Sequence, residues 1–263
     1  MIRLILVRHG NTFENHQTPK IVGARSDLPL TAQGCEQARQ LARYLISKGM
    51  SPAGIYAGGL KRQIQTAQII NELLSIEQPV EELLLKRRRF FTPLKDAVRL
   101  KPHTAFHKIA CLDPPLKGRD CGKQCVQSHE TALTEIDYGP WEGLTQEEVF
   151  IQWPHEYNDW TTESRWAQGI FGKTLDSHLC DIKNWILHLR TSYAPGDAIV
   201  GVTSNGVMRF FYSLLEMDWQ HCVKERQMEQ LKVKTGHFCE LHILKDSIKI
   251  ISWNVKPVLG NRT

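Results

Sequence analysis

No stretch of the 263-residue chain approaches the ~20 consecutive apolar residues needed to span a bilayer, so a membrane-embedded role is not expected. The short apolar run behind Arg3 is too brief and wrongly flanked for a secretory signal peptide. A disulfide framework is equally out of place: seven cysteines, an odd number in a mid-sized chain, fit reduced thiols in the cytoplasm. Internal repeats and low-complexity tracts are missing, which excludes solenoids and linker proteins. Charge is not strongly one-sided either. The formal net charge of +5 suits an anionic substrate but is ordinary for a soluble protein. A hydrophobic content of 41% is enough for a sizeable core, and the length suits one α/β domain with insertions rather than two small domains.

What is present begins at the amino terminus. Ile2 to Val7 is mostly branched and apolar and reads as a buried strand; Gly10 and Asn11 break it, leaving Arg8 and His9 at its carboxyl end. Open α/β sheets place their ligands there. An imidazole beside a guanidinium suits phosphoryl transfer, the His attacking phosphorus while the Arg holds phosphate oxygens through paired hydrogen bonds. Downstream, Thr31 is placed to cap a helix with Ala38, Leu41, Ala42 and Leu45 on its apolar stripe, ending near Gly49. Ile55–Ala57 reads as a short strand and Leu60–Leu74 as a helix. A helix over about 174–189 carries Leu175, Leu179, Ile182, Trp185, Ile186 and Leu189 and is expected to pack on the sheet. Ile199–Thr203 is a second buried strand, followed by a helix from about Gly206 to Met217. Phe238–Leu244 and Ile248–Trp253, separated by Lys245-Asp246-Ser247, read as a closing β-hairpin.

Several ordered blocks resemble the histidine phosphatase superfamily, the phosphoglycerate-mutase-like proteins. Arg8-His9-Gly10 resembles the family's Arg-His-Gly signature, with Asn15 where many members carry a phosphate-holding Asn. Ser26 to Gly34 resembles the family's D-x-P-L-T-x-x-G block. Gly59-Leu60-Lys61-Arg62-Gln63-Ile64-Gln65-Thr66-Ala67 resembles S-P-L-x-R-x-x-x-T-A, with Arg62 as the second phosphate-binding Arg and Gly58-Gly59 replacing Ser-Pro. Leu133 to Gly143 resembles the block that carries the acid catalyst, at Glu135. One position departs from the pattern. The strand Ile199–Thr203 usually leads to a second His, where this chain has Ser204 and then Asn205. Both can donate hydrogen bonds but neither carries imidazolium charge. Losing one positioned donor costs roughly 3–4 kcal/mol of transition-state stabilisation.

The resemblance implies an α/β three-layer sandwich, a mostly parallel central sheet flanked by helices, with residues 1–263 as a single domain and a lid segment inserted at about 86–130. That insert is polar and proline-bearing. Its Lys86-Arg87-Arg88-Arg89 run is expected to be a solvated face rather than a polyanion site, and Phe90-Phe91 makes no recognisable nucleic-acid motif. Two trios, His103/His107/Cys111 and Cys121/Cys125/His129, are spaced by four, yet they match no common zinc module and no metal site is expected.

The implied chemistry is phosphomonoester hydrolysis through phosphohistidine on His9. Arg8 and Arg62 would neutralise the phosphoryl oxygens, with hydrogen bonds from Asn15 and from Ser204 or Asn205. Glu135 would act first as acid and then as base. No cofactor or metal is called for, since the arginines supply the positive charge. The expected partner is a small phosphorylated substrate or a phosphoprotein, not a membrane or nucleic acid; oligomeric state is unreadable. Two alternatives stay open: a non-catalytic phosphate-binding or scaffold protein, suggested by Ser204, and a mutase. The mutases' Trp-Arg-Arg-Ser-Tyr lid block has no copy in this chain.

Overall fold

Alternation along three short strands decides the architecture. In the computed structural model, which describes residues 1–76, 131–213 and 231–259, strand β1 (Ile2–Arg8) sends Leu4 and Leu6 to one side of a sheet and Ile5 and Val7 to the other. Strands β2 (Gly54–Ala57) and β3 (Ala198–Thr203) do the same, with Tyr56 and Ile199 on the first side and Ile55, Ala57, Val200 and Val202 on the second. A strand apolar on both faces needs cover on both. Helices α1 (Ala32–Ser47) and α2 (Lys61–Ile76) cover the second side, through Leu41, Ala42 and Leu45 and through Ala67, Ile70 and Leu74. The first side is covered by α3 (Gln146–Gln152), α4 (Pro154–Glu163), α5 (Leu175–Ser192) and α6 (Asn205–Ser213). The result is helix, sheet, helix in three layers.

The five-stranded sheet runs β2-β3-β1-β4-β5. Its first three strands are parallel; β4 (Phe238–Ile243) is antiparallel to β1, and β5 (Ile248–Val255) antiparallel to β4. The sheet is therefore mixed, the expected parallel βαβ units being extended by the expected hairpin. Register places Arg8 beside Thr203, so the carboxyl ends of β1 and β3 lie level.

Local chemistry explains the helix boundaries. Thr31 caps α1 by accepting from Gly34 N at 3.1 Å, Thr174 caps α5 from Ser177 N at 3.2 Å, and Thr145 forms a capping box with Glu148 at the start of α3. The helix expected to run from about Gly206 to Met217 begins at Asn205 and is described to Ser213; residues 214–217 lie outside the described residues. The 86–130 insert, with its basic run and its Cys/His trios, also lies outside them. Helices α3 and α4 carry no clean periodicity in the sequence. Helix α3 buries Val149, and α4 joins an aromatic cluster in which Trp160 and Trp166 meet Phe171 edge-on at 5.1 Å each, and Trp141 meets it at 5.2 Å. No described helix is long and apolar enough to cross a membrane.

Candidate active site

His9 follows β1 directly and is only 6% exposed. Its backbone N–H donates to Thr203 O at 3.0 Å, extending the β1–β3 ladder by one step and fixing the ring over the sheet end. The ring's Nδ1 lies 2.8 Å from Gly10 O. A carbonyl can only accept, so Nδ1 carries the proton and Nε2 keeps its lone pair. Burial, then the charges of Arg62 and Arg8, push the imidazole pKa well below its usual value. The ring is thus neutral at physiological pH with a defined nucleophilic nitrogen.

Two buried guanidiniums belong to the same cluster. Arg8 donates from Nη1 to Val233 O at 2.6 Å, while its buried Nε has no partner among the described residues. An unpartnered donor on a buried cation is costly unless a ligand completes it. Arg62, only 1% exposed, projects from the first turn of α2 and donates to Ser26 O at 2.6 Å and Gly23 O at 3.1 Å. Burial lowers both guanidinium pKa values and Glu135 opposes that shift; an arginine remains cationic regardless.

Glu135 lies just beyond the 3₁₀ turn Thr131–Leu133 and accepts from Ile136 N at 3.0 Å. Burial raises its carboxyl pKa, against the lowering effects of Arg62, the Ile136 N–H, Arg8 and a hydrogen bond from Ser204. Gly206, at the start of α6, leaves space for this carboxyl: a Cβ there would stand 2.6 Å from Glu135 Oε1 and 2.2 Å from Tyr138 Oη. Tyr138 is buried, and burial and then Glu135 raise its phenol pKa far above normal, so it is a neutral hydroxyl beside the acid.

The structure therefore gathers Arg8, His9, Arg62, Glu135 and Ser204, from four separated stretches of the chain, at one end of the sheet. Ser204 is fully buried, its hydroxyl accepting from Gln63 Nε2 at 2.9 Å. Asn205 spends its side-chain oxygen on Val233 N at 2.8 Å and so braces the segment whose carbonyl receives Arg8. Asn15 sits in the exposed turn 14–17, and no hydrogen bond among the described residues ties it to the cluster.

Sequence reasoning passed over four supporting residues. Glu142 accepts from Arg25 N at 3.1 Å, Ser26 Oγ at 2.7 Å and Tyr138 N at 3.3 Å, holding the loop whose carbonyls anchor Arg62. Arg209 lies over the Trp160 ring at 4.3 Å, bonds Ser164 Oγ at 2.8 Å, and acts electrostatically on Arg8 and Tyr138. Gln63 and Tyr138 complete the set. Proximity to Arg62 and Glu135 in the chain was the only available signal for Gln63, Tyr138 and Glu142; Arg209 had none. Among the described residues no group of three or more His, Cys, Asp or Glu side chains is arranged to hold a metal ion.

Comparison with known proteins shows the family and the fold. The model of the histidine phosphatase superfamily (branch 1) matches residues 4–86 and 120–256. The chain is 34% identical over 118 residues to the uncharacterized phosphatase PhoE of Bacillus subtilis (strain 168), covering 43% of this chain and 58% of that protein. It is 30% identical over 113 residues to 2,3-bisphosphoglycerate-dependent phosphoglycerate mutase 1 of Latilactobacillus sakei, covering 42% of this chain and 47% of that one. These matches span about half the length of the curated relatives. In three dimensions the fold resembles mycobacterial glucosyl-3-phosphoglycerate phosphatase, solved in complex with VO3, with a TM-score of 0.64 at 18% identity over 96% of this chain and 98% of that one.

Proposed function

The chain belongs to the histidine phosphatase superfamily, and we propose that it is a phosphomonoesterase working through a phosphohistidine on His9. The observation that carries this reading is the state of His9: buried, neutral, with Nδ1 held by Gly10 O and its charge environment set by Arg8 and Arg62. His9 Nε2 attacks phosphorus while the ester P–O bond breaks. The two guanidiniums offset the charge on the phosphoryl oxygens, the unpartnered Arg8 Nε supplying one donor and Asn15, from the rim, another. Glu135, whose carboxyl pKa burial raises, gives a proton to the departing alkoxide. It then takes a proton from water, whose oxygen attacks phosphorus, breaking the N–P bond and freeing phosphate and His9. The substrate is a small phosphorylated molecule or a phosphoprotein, and the chemistry requires no cofactor. Residues 1–263 act as one domain, with the 86–130 insert shaping substrate choice. With Ser204 in place of a second imidazole, turnover is slower by up to about 100–1,000-fold.

One observation favours a second reading. Ser204 is fully buried and already engaged by Gln63, as in a site that holds phosphate without turning it over. Mutase activity is the weaker option, since the chain has no copy of the Trp-Arg-Arg-Ser-Tyr block. The test is hydrolysis of p-nitrophenyl phosphate from pH 5 to 8 by wild type and His9→Ala, together with trapping of acid-labile, alkali-stable phosphate. Turnover and trapped phosphate that both disappear in His9→Ala support the hydrolase. Phosphate binding with no trapped intermediate supports the scaffold.

A further inference from the structure

Arg8 Nε, assigned above to the phosphoryl group, is not alone in lacking a partner among the described residues. The Tyr138 hydroxyl lacks one too. Tyr138 is only 8% exposed, and its backbone is spent on Glu142 Oε1, 3.3 Å from its N–H, and on Trp141 N, 3.2 Å from its carbonyl. No hydrogen bond among the described residues engages Oη. The ring cannot swing away, because it meets Phe171 edge-on at 5.2 Å and Trp160 at 5.8 Å. Gly139, the next residue, is held at φ +59°, where a Cβ would stand 2.1 Å from Ile170 O. The hydroxyl is therefore fixed beside the acid: the point that a Cβ on Gly206 would occupy is 2.2 Å from Tyr138 Oη and 2.6 Å from Glu135 Oε1. The two oxygens share one wall with no hydrogen bond between them, and the carboxyl Oε1 accepts instead from Ile136 N at 3.0 Å. A buried hydroxyl with no partner is destabilising until a ligand supplies one.

We propose that Tyr138 determines specificity on the leaving-group side, its hydroxyl binding a second hydroxyl of the substrate's alcohol, on the carbon next to the phosphate ester. The preferred substrates are then phosphomonoesters of polyols. This deepens the reading above and rests on it, since Glu135 marks the leaving-group side only as the acid of that reaction. An ester oxygen and a gauche hydroxyl on the neighbouring carbon lie about a hydrogen-bond length apart, so one faces Glu135 while the other faces Tyr138. The partner is uncharged for a physical reason. Glu135 becomes a carboxylate once it has given its proton, and a second carboxylate against it would be repelled. A hydroxyl is not repelled, and it both donates to and accepts from a phenol. A simple alkyl ester fits the same space but leaves Oη unpaired, which is how a site built to bond a hydroxyl discriminates against the analogue lacking it.

The test compares glycerol 1-phosphate with propyl phosphate, which has the same carbon chain and no hydroxyl, in the full-length protein and in Tyr138→Phe. In the wild type kcat/KM favours glycerol 1-phosphate, and Tyr138→Phe reduces that preference about tenfold, as expected for one hydrogen bond. Comparing the two proteins cancels the difference in leaving-group pKa between the alcohols. Calorimetric binding of both esters to His9→Ala, with and without Tyr138→Phe, repeats the comparison in the absence of turnover, and the ratio of Kd values moves the same way. Thermal melts check the premise: removing a hydroxyl that has no internal partner leaves Tm within about one or two degrees. A preference unchanged by Tyr138→Phe in both rate and binding overturns the proposal. So does a fall of several degrees in Tm, which would show that Oη bonds within the protein. A Tyr138-dependent Kd ratio in a protein that turns over neither ester sustains the hydroxyl contact and rejects the phosphatase reading.

Discussion

Replacing Gly206 by alanine adds one methyl group at the point where α6 approaches the acid. That methyl would sit 2.2 Å from Tyr138 Oη and 2.6 Å from Glu135 Oε1, against an ordinary contact of roughly 3.5 Å, so the pair must retreat by about 1 Å. Tyr138 has little room to yield: its ring packs edge-on against Phe171 at 5.2 Å and Trp160 at 5.8 Å. Glu135 is therefore the group that moves, at the expense of its bond to Ile136 N. Overpacking of this kind costs about 1–3 kcal/mol, partly offset by up to about 1 kcal/mol of helix propensity. The net is a fall of a few degrees in Tm, and the protein still folds. Catalysis suffers more, because a 1 Å misplacement of a catalytic group costs about 100-fold. Thermal melts establish folding, and initial rates on phenyl phosphate read the chemistry. A folded Gly206→Ala protein within threefold of the wild-type rate would refute the placement of Glu135 as acid.

Three further outcomes are expected. Arg62→Lys keeps the charge but loses the fork that serves Ser26 O and Gly23 O; kcat/KM for p-nitrophenyl phosphate should fall at least about 100-fold, and urea melts should show a loss of about 1–3 kcal/mol. Since the His9 pKa is depressed well below 6.5 and that of Glu135 is raised, phosphorylation of His9 followed by rapid quench should not decline between pH 7 and 6, where an unperturbed imidazole would become protonated; a decline there would contradict the burial argument. His178 is buried against Trp166 and Phe210, its Nε2 without a partner among the described residues and its pKa lowered by burial to about 4. The unfolded chain takes up this proton near 6.5 and the native state refuses it until about 4, so stability falls as the pH drops through that window. At pH 5 the loss is about 2 kcal/mol, and His178→Phe should remove it in urea melts compared at pH 7.5 and 5.

The layers of the fold were legible because each depends on local periodicity. Near-continuous apolar runs marked β1 and β3 as buried strands, spacing of three and four marked α1 and α5, and Thr31 marked a cap. The hairpin of β4 and β5 showed in its polar break. Helices α3 and α4 did not show: α3 is short with one buried residue, and α4 packs through aromatic side chains contributed from several segments, contacts that impose no period on the chain.

For the site, the chain by itself named Arg8 and His9 at a strand end, Arg62 in a helix start and Glu135 in its block, because each is tied to a local motif. What the folded protein alone decided is how those groups are held. Gln63 and Ser204 are 141 positions apart, and Ser26 and Glu142 are 116 apart. Whether a hydroxyl bonds to an amide, a carboxylate or a phosphate depends on the direction of one O–H bond within a close-packed interior. That direction is set by all the neighbours at once, and no spacing along the sequence encodes it.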